Sequence, residues 1–203
     1  MAKTAVPKDF PKGKVAYFVT TNVHKFLEAR NVLSEYKIAA AKLKVEAKEI
    51  QDDSLENIAK FSAHDAVKNS GLPIFVGDAG LFVEALKGFP GPYSAYVYRT
   101  VGPQGILDLM KDKTNRNAYF QTVIAYCEPN GESKTFFGKV QGTICMEQKG
   151  DLGFGYDPIF VPNRGDGRTF AQMSTTEKNV YSHRAEALRK FAEWYSGVGK
   201  RIF

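Results

Sequence analysis

The sequence predicts a mixed α/β fold, and three patterns lead to that prediction. A β-rich run at 14–19 is followed directly by apolar residues at roughly helical spacing. Two further runs, 118–127 and 135–145, are rich in β-branched and aromatic residues, and the turn signal Pro-Asn-Gly between them predicts a long hairpin. An amphipathic helix capped by Ser182 closes the chain. Strand–helix units at the start and a hairpin later together indicate a mixed sheet.

Size and composition predict one globular domain over residues 1–203, since 43% of the 203 residues are hydrophobic. Asp78 and Glu84 interrupt the most apolar run, so no segment approaches the roughly 20 residues of a membrane helix. The N-terminal segment is basic and lacks the apolar stretch of a secretory signal. We therefore expect a cytoplasmic protein without a membrane partner. Cys127 and Cys145 have no CxxC spacing and are predicted to be buried free thiols.

The charge balance favours a polyanionic partner. Lys and Arg number 28 against 22 Asp and Glu, which gives a formal net charge of +6. A nucleic acid and a nucleoside triphosphate both suit this charge, and charge alone does not choose between them. The basic residues are scattered without a run of five or more, so an unstructured nucleic-acid-binding arm is not indicated.

The first candidate site is the segment TTNVHK at 20–25, between the first strand and its helix. Thr20, Thr21 and Asn22 are good helix caps. Unpaired amides at a helix start, the positive end of its dipole and Lys25 one turn along suit a phosphate group. The segment by itself equally allows an ordinary capped helix with Lys25 in solvent. A Walker-type glycine pattern is missing, so an ordinary P-loop is not indicated.

The second candidate is Asp78, which follows a predicted helix and strand. The helix is expected to begin near Asp53 and Ser54 and to run to about Asn69, because Asp53 and Glu56 have capping-box spacing and Gly71 ends the pattern. The run 72–76 is typical of a buried strand, which places Asp78 between two glycines at the carboxyl end of that strand. A carboxylate there could bind a hard cation or accept a proton from water. An Asp that caps the following turn remains the alternative.

The third candidate is GFGYDP at 153–158, where two glycines surround two aromatic residues and an acid. Phe154 or Tyr156 could stack on a flat base, and Asp157 could accept hydrogen bonds from base N–H groups. A plain glycine-rich turn that enters a strand at 159–161 is the alternative.

The fourth candidate lies in the first turn of the closing helix, which carries His183 and Arg184. The helix dipole disfavours cations at this end by up to about 1 kcal/mol. Departures from a local rule tend to occur at functional sites, so both residues are candidate donors to a carbonyl or a phosphate. Two solvated side chains would explain the pattern equally well.

Taken together and in this order, these segments resemble the inosine triphosphate pyrophosphatase family. The similarity extends from about Val15 to Leu188 and includes FVTTNVHKFLEA, KEIQ, GDAGLFVEALKGFPGPYSAY, GFGYDPIF and TFAQMSTTEKNVYSHRAEAL. It implies an elongated α/β fold with two lobes around a central cleft, and a homodimer. It also implies Mg²⁺-dependent hydrolysis of aberrant purine nucleoside triphosphates (ITP, dITP or XTP) to the monophosphate and pyrophosphate.

The resemblance assigns the catalytic and phosphate-binding residues position by position. Thr20, Asn22 and Lys25 would hold the triphosphate at the helix start. Glu49 and Asp78 correspond to the acidic positions that bind Mg²⁺, and one of them would take the proton from the attacking water. Their spacing of 29 positions could not have paired them, so that pairing depends on the resemblance.

The resemblance also assigns the purine pocket. Phe154 would stack on the base, and Tyr156 and Asp157 would shape the pocket for base and sugar. The remaining members, which would contact the base and phosphates, are Lys178, His183 and Arg184. Donors from the last two would favour the six-position carbonyl of hypoxanthine or xanthine over the amino group of adenine.

Two departures from the family pattern affect the charged end of the site. Gly77 stands where many relatives carry an acid before Asp78. The helix after Asp53 often presents a lysine to the phosphates, but we align that position with Ser62, which leaves Lys60 as a candidate. Two other functions stay open: a nucleotide pyrophosphatase of broader or pyrimidine specificity, and a basic nucleic-acid-binding module. The second leaves the acidic residues unexplained, so no stable nucleic-acid partner is expected.

Overall fold

The computed structural model describes residues 15–129, 131 and 133–197. The strands in this part of the chain are β1 (Val15–Val19), β2 (Ala39–Leu43), β3 (Ile74–Val83), β4 (Pro90–Gly91), β5 (Asn117–Cys127), β6 (Lys134–Ile144) and β7 (Phe160–Pro162). The helices are α1 (Val23–Glu35), α2 (Leu55–Ser70), α3 (Ser94–Thr100), α4 (Gly102–Leu109), α5 (Thr175–Tyr181) and α6 (His183–Ser196). None of these helices is long and apolar enough to span a bilayer.

All seven strands form one mixed sheet in the order β2-β1-β3-β5-β6-β7, and β4 pairs with β3. β1 runs parallel to both β2 and β3, and the other pairs are antiparallel. The parallel pairs are joined by α1 and α2, whereas β5 and β6 form the expected long hairpin. The predicted mixed α/β class is therefore confirmed. The division into two lobes stays a prediction.

Buried apolar side chains form three clusters along the sheet. The first includes Phe18 and Phe191 and packs beneath α1 and α6. The second includes Ala63 and packs beneath α2. The third, which includes Phe120 and Phe160, covers the far ends of the long strands. Strands β3 and β5 contribute residues to all three clusters, so the middle of β3 lies where they meet.

The structure places Asp78 in the middle of β3, not after a strand as predicted. Asp78 pairs with Val123 of β5, and the ladder continues on both sides. The flanking glycines suggested a turn, but Gly80 serves close packing, because a Cβ atom there would overlap the main chain of Gly91 in β4. The alternative of an Asp that caps a turn is therefore wrong.

The helix boundaries largely follow the predicted caps. Ser54 caps α2 by accepting a hydrogen bond from the Asn57 amide, which agrees with the predicted start near Asp53 and Ser54. Gly71 ends that helix in the left-handed conformation, with a φ of 68°. Ser182 caps α6 as predicted. Strands β2 and β4 and helices α4 and α5 were not predicted.

Two smaller expectations have mixed outcomes. The predicted hairpin turn includes Asn130, which lies outside the described residues. Both cysteines are free thiols as expected, but only Cys127 is buried, and Cys145 is half-buried.

The first turn of α6 lies directly on β6. A Cβ atom at Gly138 would overlap the carbonyl oxygen of His183 and would lie 2.6 Å from the Ala187 amide nitrogen. Only glycine allows this approach, which holds His183 and Arg184 against the sheet.

Candidate active site

The start of α1 is organised by its own cap. The Asn22 side chain accepts a hydrogen bond from the Lys25 amide at 3.0 Å, and the Thr20 hydroxyl accepts one from the Asn22 amide at 3.1 Å. The first turn carries no acidic residue. No carboxylate within this turn therefore competes with an anion for the positive end of the helix dipole.

Lys25 does not extend into solvent, as the simple capped-helix alternative requires. Its ammonium donates a hydrogen bond to the Gly77 carbonyl oxygen at 3.2 Å. Burial lowers its pKa, and the nearby charge of Arg184 lowers it further, whereas Asp78, Glu49 and Glu28 act in the opposite direction. Because this ammonium group is partly desolvated, an anion that binds next to it would stabilise its positive charge.

Asp78 and Glu49 belong to the same charged group around Lys25. Burial raises the pKa of Asp78, and the charge of Glu49 raises it further. The charge of Lys25 and the hydrogen bond from the Ala79 amide act in the opposite direction. Asp78 Oδ1 accepts a hydrogen bond from the Ala79 amide at 2.9 Å. Although 29 positions apart in the sequence, the two carboxylates lie close enough to influence each other electrostatically.

Glu49 is exposed and lies in a segment without regular secondary structure. Side chains of α2 hold the preceding main chain. Asp65 accepts a hydrogen bond from the Lys48 amide at 2.8 Å, and the Ser62 hydroxyl donates to the Lys48 carbonyl at 3.2 Å. Asn69 donates to the Glu46 carbonyl at 2.9 Å. These contacts fix the direction in which the chain enters Glu49.

The structure also shows the surroundings of Ser62, which we aligned with the family's phosphate-binding lysine, and of the nearby candidate Lys60. Ser62 is buried, and its hydroxyl helps to hold the main chain just before Glu49. Lys60 forms an ion pair with Glu56, one turn earlier in the same helix, at 2.7 Å. Its side chain is 41% exposed, so it remains free to exchange this partner for another anion.

Four buried charges form a network beside this group. Lys178 contacts Asp157 Oδ2 at 2.6 Å and Glu28 Oε1 at 2.8 Å, and Arg184 contacts Glu28 Oε2 at 2.8 Å. Burial acts to raise the pKa of Glu28, but the charges and hydrogen bonds of Arg184 and Lys178 lower it overall. Two acids and two bases balance, which makes their burial tolerable.

Asp157 also organises the GFGYDP segment. Its Oδ2 atom accepts a hydrogen bond from the Phe154 amide at 2.9 Å. Gly153 is left-handed, with a φ of 71°, and a Cβ atom there would collide with the Asp157 carboxylate. The segment is a glycine-rich turn before a strand, as the simpler alternative held, but it is also tied to Lys178.

Phe154 is half-buried and surrounded by polar groups. The His24 imidazole stacks on its ring, with centroids 5.2 Å apart and an interplanar angle of 16°. The Lys178 ammonium lies 4.8 Å and the Arg184 guanidinium carbon 5.5 Å from the ring centroid. The ring therefore adjoins the charge network directly.

His183 is buried and stacks on Phe120, with centroids 4.7 Å apart. Burial, together with the charges of Arg184, Lys178 and Lys25, lowers its pKa well below the ordinary value, so the imidazole is neutral at neutral pH. Its Nδ1 atom has no hydrogen-bond partner among the described residues. His183 is therefore a hydrogen-bonding group, not a cation.

Tyr156 is committed to the core. Its hydroxyl donates to the Ser94 carbonyl at 3.0 Å, and its ring contacts Tyr98 edge-on. The structure thus gathers the other predicted residues around the start of α1, while Tyr156 supports the turn from below. Sequence reasoning missed Glu28 and His24. The two residues lie one helical turn apart on α1. Only the fold shows that Glu28 contacts Lys178 and Arg184 and that His24 stacks on Phe154.

The carboxylates fit a hard divalent cation such as Mg²⁺. In the described part of the chain, no group of three or more His, Cys, Asp or Glu side chains is arranged to hold a metal. Mg²⁺ needs only one or two carboxylates when substrate phosphates and water complete its coordination. Asp78 and Glu49 therefore suit an ion that binds together with a polyphosphate.

These features define a class of protein: a mixed α/β protein whose site combines a helix start, a buried lysine, two carboxylates and an aromatic ring. Such a site has the chemistry to bind a phosphorylated ligand that carries a flat ring. The chain belongs to the Ham1 family, whose model matches residues 16–194.

Relatives and solved structures agree with this membership. The chain is 48% identical over 178 residues to the dITP/XTP pyrophosphatase of Methanopyrus kandleri, covering 88% of this chain and 94% of that protein. It is 51% identical over 177 residues to the protein of that name from Thermococcus kodakarensis, covering 87% and 95%. A HAM1 protein from Coxiella burnetii superposes with a TM-score of 0.80 at 29% identity, covering 91% of this chain and 99% of that one. The resemblance inferred from the motifs is confirmed.

The charge network yields a stability prediction for Glu28→Gln. Loss of the carboxylate leaves Arg184 and Lys178 with excess buried positive charge, so the free energy of unfolding at pH 7 should fall by about 3 kcal/mol. Because the folded-state pKa of Glu28 is lowered from 4.5, its contribution is complete above that pH and is lost as the pH falls through the folded-state value. Urea denaturation from pH 7 to pH 3 should show the two proteins converging in acid.

Glu35→Gln on the same helix is the matched control. Glu35 pairs with Arg189 at 3.4 Å, and both side chains are about one-third exposed or more. Its loss should cost less than about 1 kcal/mol at every pH. A Glu28→Gln protein as stable as wild type at pH 7 would contradict the stabilising role of the network.

Proposed function

We propose that this protein hydrolyses aberrant purine nucleoside triphosphates such as ITP, dITP and XTP to the monophosphate and pyrophosphate. One observation supports this most strongly. The first turn of α1 directs Lys25 towards Asp78 and Glu49, and it directs His24 onto Phe154. The charged end of the site, which would bind the polyphosphate, and its aromatic end thus lie on either side of one helical turn. The relatives named dITP/XTP pyrophosphatase, at 48% and 51% identity, support the same substrates.

At the phosphate end, Thr20 and Asn22 shape the helix start, and its free amides and Lys25 bind the phosphate oxygens. A triphosphate brings three to four negative charges, so attack by water on the α-phosphorus requires neutralisation of charge. Lys25 supplies one positive charge, and its burial strengthens the attraction between that charge and a phosphate. Pyrophosphate departs from these same groups.

Asp78 and Glu49 are the residues that would hold Mg²⁺. The bound ion would neutralise phosphate charge and polarise the phosphoryl group. Either carboxylate could accept the proton of the attacking water.

At the base end, Phe154 stacks on the purine. Arg184 and neutral His183 face the six-position carbonyl of hypoxanthine or xanthine as donors. Asp157 and Lys178 brace the turn that carries Phe154, and Tyr156 supports it from the core. Adenine would present an amino group to these donors and leave them unpaired, which disfavours ATP.

Two further parts of the proposal are a homodimer, which the family resemblance implies, and a cytoplasmic location. Sedimentation velocity on the purified protein measures the first. A mass of one chain, 22.6 kDa, at micromolar concentration would exclude a stable homodimer.

Asp78→Asn should reduce the turnover number for ITP at least about 100-fold, because it removes both a metal ligand and a candidate base. Pyrophosphate release in the presence of Mg²⁺ measures the effect. The substitution should not lower the stability of the folded protein. Since the pKa of Asp78 is raised in the folded state, its ionised form opposes folding above pH 3.8, and a neutral side chain relieves that cost.

Asp108→Asn, an exposed change on α4, serves as the control and should leave turnover unchanged. An Asp78→Asn enzyme with wild-type turnover would remove Asp78 from the proposed mechanism.

A panel of triphosphates tests the reaction and its specificity. We expect Mg²⁺-dependent release of pyrophosphate, not of single phosphate, from ITP, dITP and XTP. The kcat/KM for ATP should be about 5- to 150-fold lower, since one mismatched buried polar group costs about 1 to 3 kcal/mol. Equal values for ITP and ATP would refute the proposed selectivity. Equal hydrolysis of UTP or CTP would favour the pyrophosphatase of broader specificity.

A further inference from the structure

Among the aromatic and cationic groups that contact the Phe154 ring in the described part of the chain, two are buried and one is exposed. Lys178 and Arg184 are 2% and 3% exposed, and carboxylates hold both of them. His24 is an exposed side chain on the first turn of α1. The buried cations cannot leave the ring without breaking ion pairs. His24 is therefore the neighbour of Phe154 that can move when a ligand arrives.

His24 and Phe154 also line the same pocket. Its volume is about 380 Å³, and its walls include Glu28 and Lys178 of the charge network. The two rings are nearly parallel, at 16°, but their centroids are only 5.2 Å apart. A planar base between them needs about 7 to 8 Å, twice the optimal carbon–carbon separation. An outward movement of the exposed imidazole by about 2 to 3 Å would therefore create a slot for one flat ring.

The neighbouring residue in the chain gives this slot its orientation. Lys25 extends towards Gly77 and the two carboxylates, whereas His24 extends to Phe154. Consecutive residues on a helix point about 100° apart. One turn of α1 can thus contact the phosphates with one side chain and the base with the next.

We propose that His24 stacks on the face of the purine opposite Phe154, so that the base is held between the two rings. This inference rests on the proposed function and adds a residue that selects for ring size. A purine overlaps both rings over a larger area than a pyrimidine does, so the second stack contributes more to purine binding. In the free protein, the His24–Phe154 stack occupies the space that the base takes.

The test measures two dissociation constants by isothermal titration calorimetry, one for inosine monophosphate and one for pyrophosphate. Inosine monophosphate reports on the base end and pyrophosphate on the phosphate end. His24→Ala should weaken inosine monophosphate binding about tenfold, or about 1.4 kcal/mol, the scale of one base–aromatic stack. Pyrophosphate binding should not change. His24→Phe should restore nucleotide binding, because it restores the second aromatic face.

Val23→Ala is the matched control, since Val23 precedes His24 in the same turn and its side chain is 55% exposed. It should bind both ligands as wild type does. In turnover assays, His24→Ala should raise KM for ITP more than it lowers kcat, and it should reduce the preference for ITP over UTP.

Three results would overturn the inference while the proposed function stands. If His24→Ala binds inosine monophosphate as tightly as wild type or more tightly, His24 only shields Phe154 from solvent and does not stack on the base. Equal weakening of pyrophosphate would indicate a disturbed helix start. Failure of His24→Phe to restore binding would exclude stacking as the cause. A wild-type protein that neither hydrolyses ITP nor binds inosine monophosphate would instead refute the proposed function, and the inference with it.

Discussion

The bidentate role of Glu28 is the interaction on which the site depends. One oxygen of this buried carboxylate contacts Lys178 and the other contacts Arg184. Lys178 extends the network to Asp157, which in turn holds the Phe154 amide. Helices α1, α5 and α6 and the GFGYDP turn are therefore connected through four charges. The same contacts resolve the unfavourable placement of cations at the start of α6, because Arg184 is neutralised by Glu28 and His183 is uncharged.

Helix α1 serves both ends of the site because it lies next to the centre of the sheet. Its amino-terminal turn faces β3, where Gly77 and Asp78 occupy consecutive positions in the strand. Asp78 lies within the ladder that pairs β3 with β5, so its main chain provides a rigid position for a carboxylate. Glu49 has no such ladder. Its position depends on Ser62, Asp65 and Asn69, which α2 presents to the preceding main chain.

Rigid and adjustable parts of the site are thus separated. Asp78, Lys178 and Arg184 are partly or fully buried and held by several contacts, as pre-organised electrostatic groups should be. Glu49 and His24 are exposed and lie at opposite ends of the same site. On the proposed function, movement of these two side chains would accommodate the metal and the base while the charge network stays in place.

Local chemistry within the sequence determined the strand–helix start, the hairpin, the caps at Asn22 and Ser182 and the left-handed end at Gly71, because each depends on neighbouring residues. The order of the motifs also identified the family. Pattern alone misplaced Asp78 after a strand, since a glycine needed for close packing and a glycine needed for a turn look the same in a sequence. Only the tertiary structure brought Glu49 to Asp78, paired Glu28 with Lys178 and Arg184, and laid His24 on Phe154. Those contacts join residues 29 to more than 150 positions apart, and their formation depends on how helices pack on the sheet.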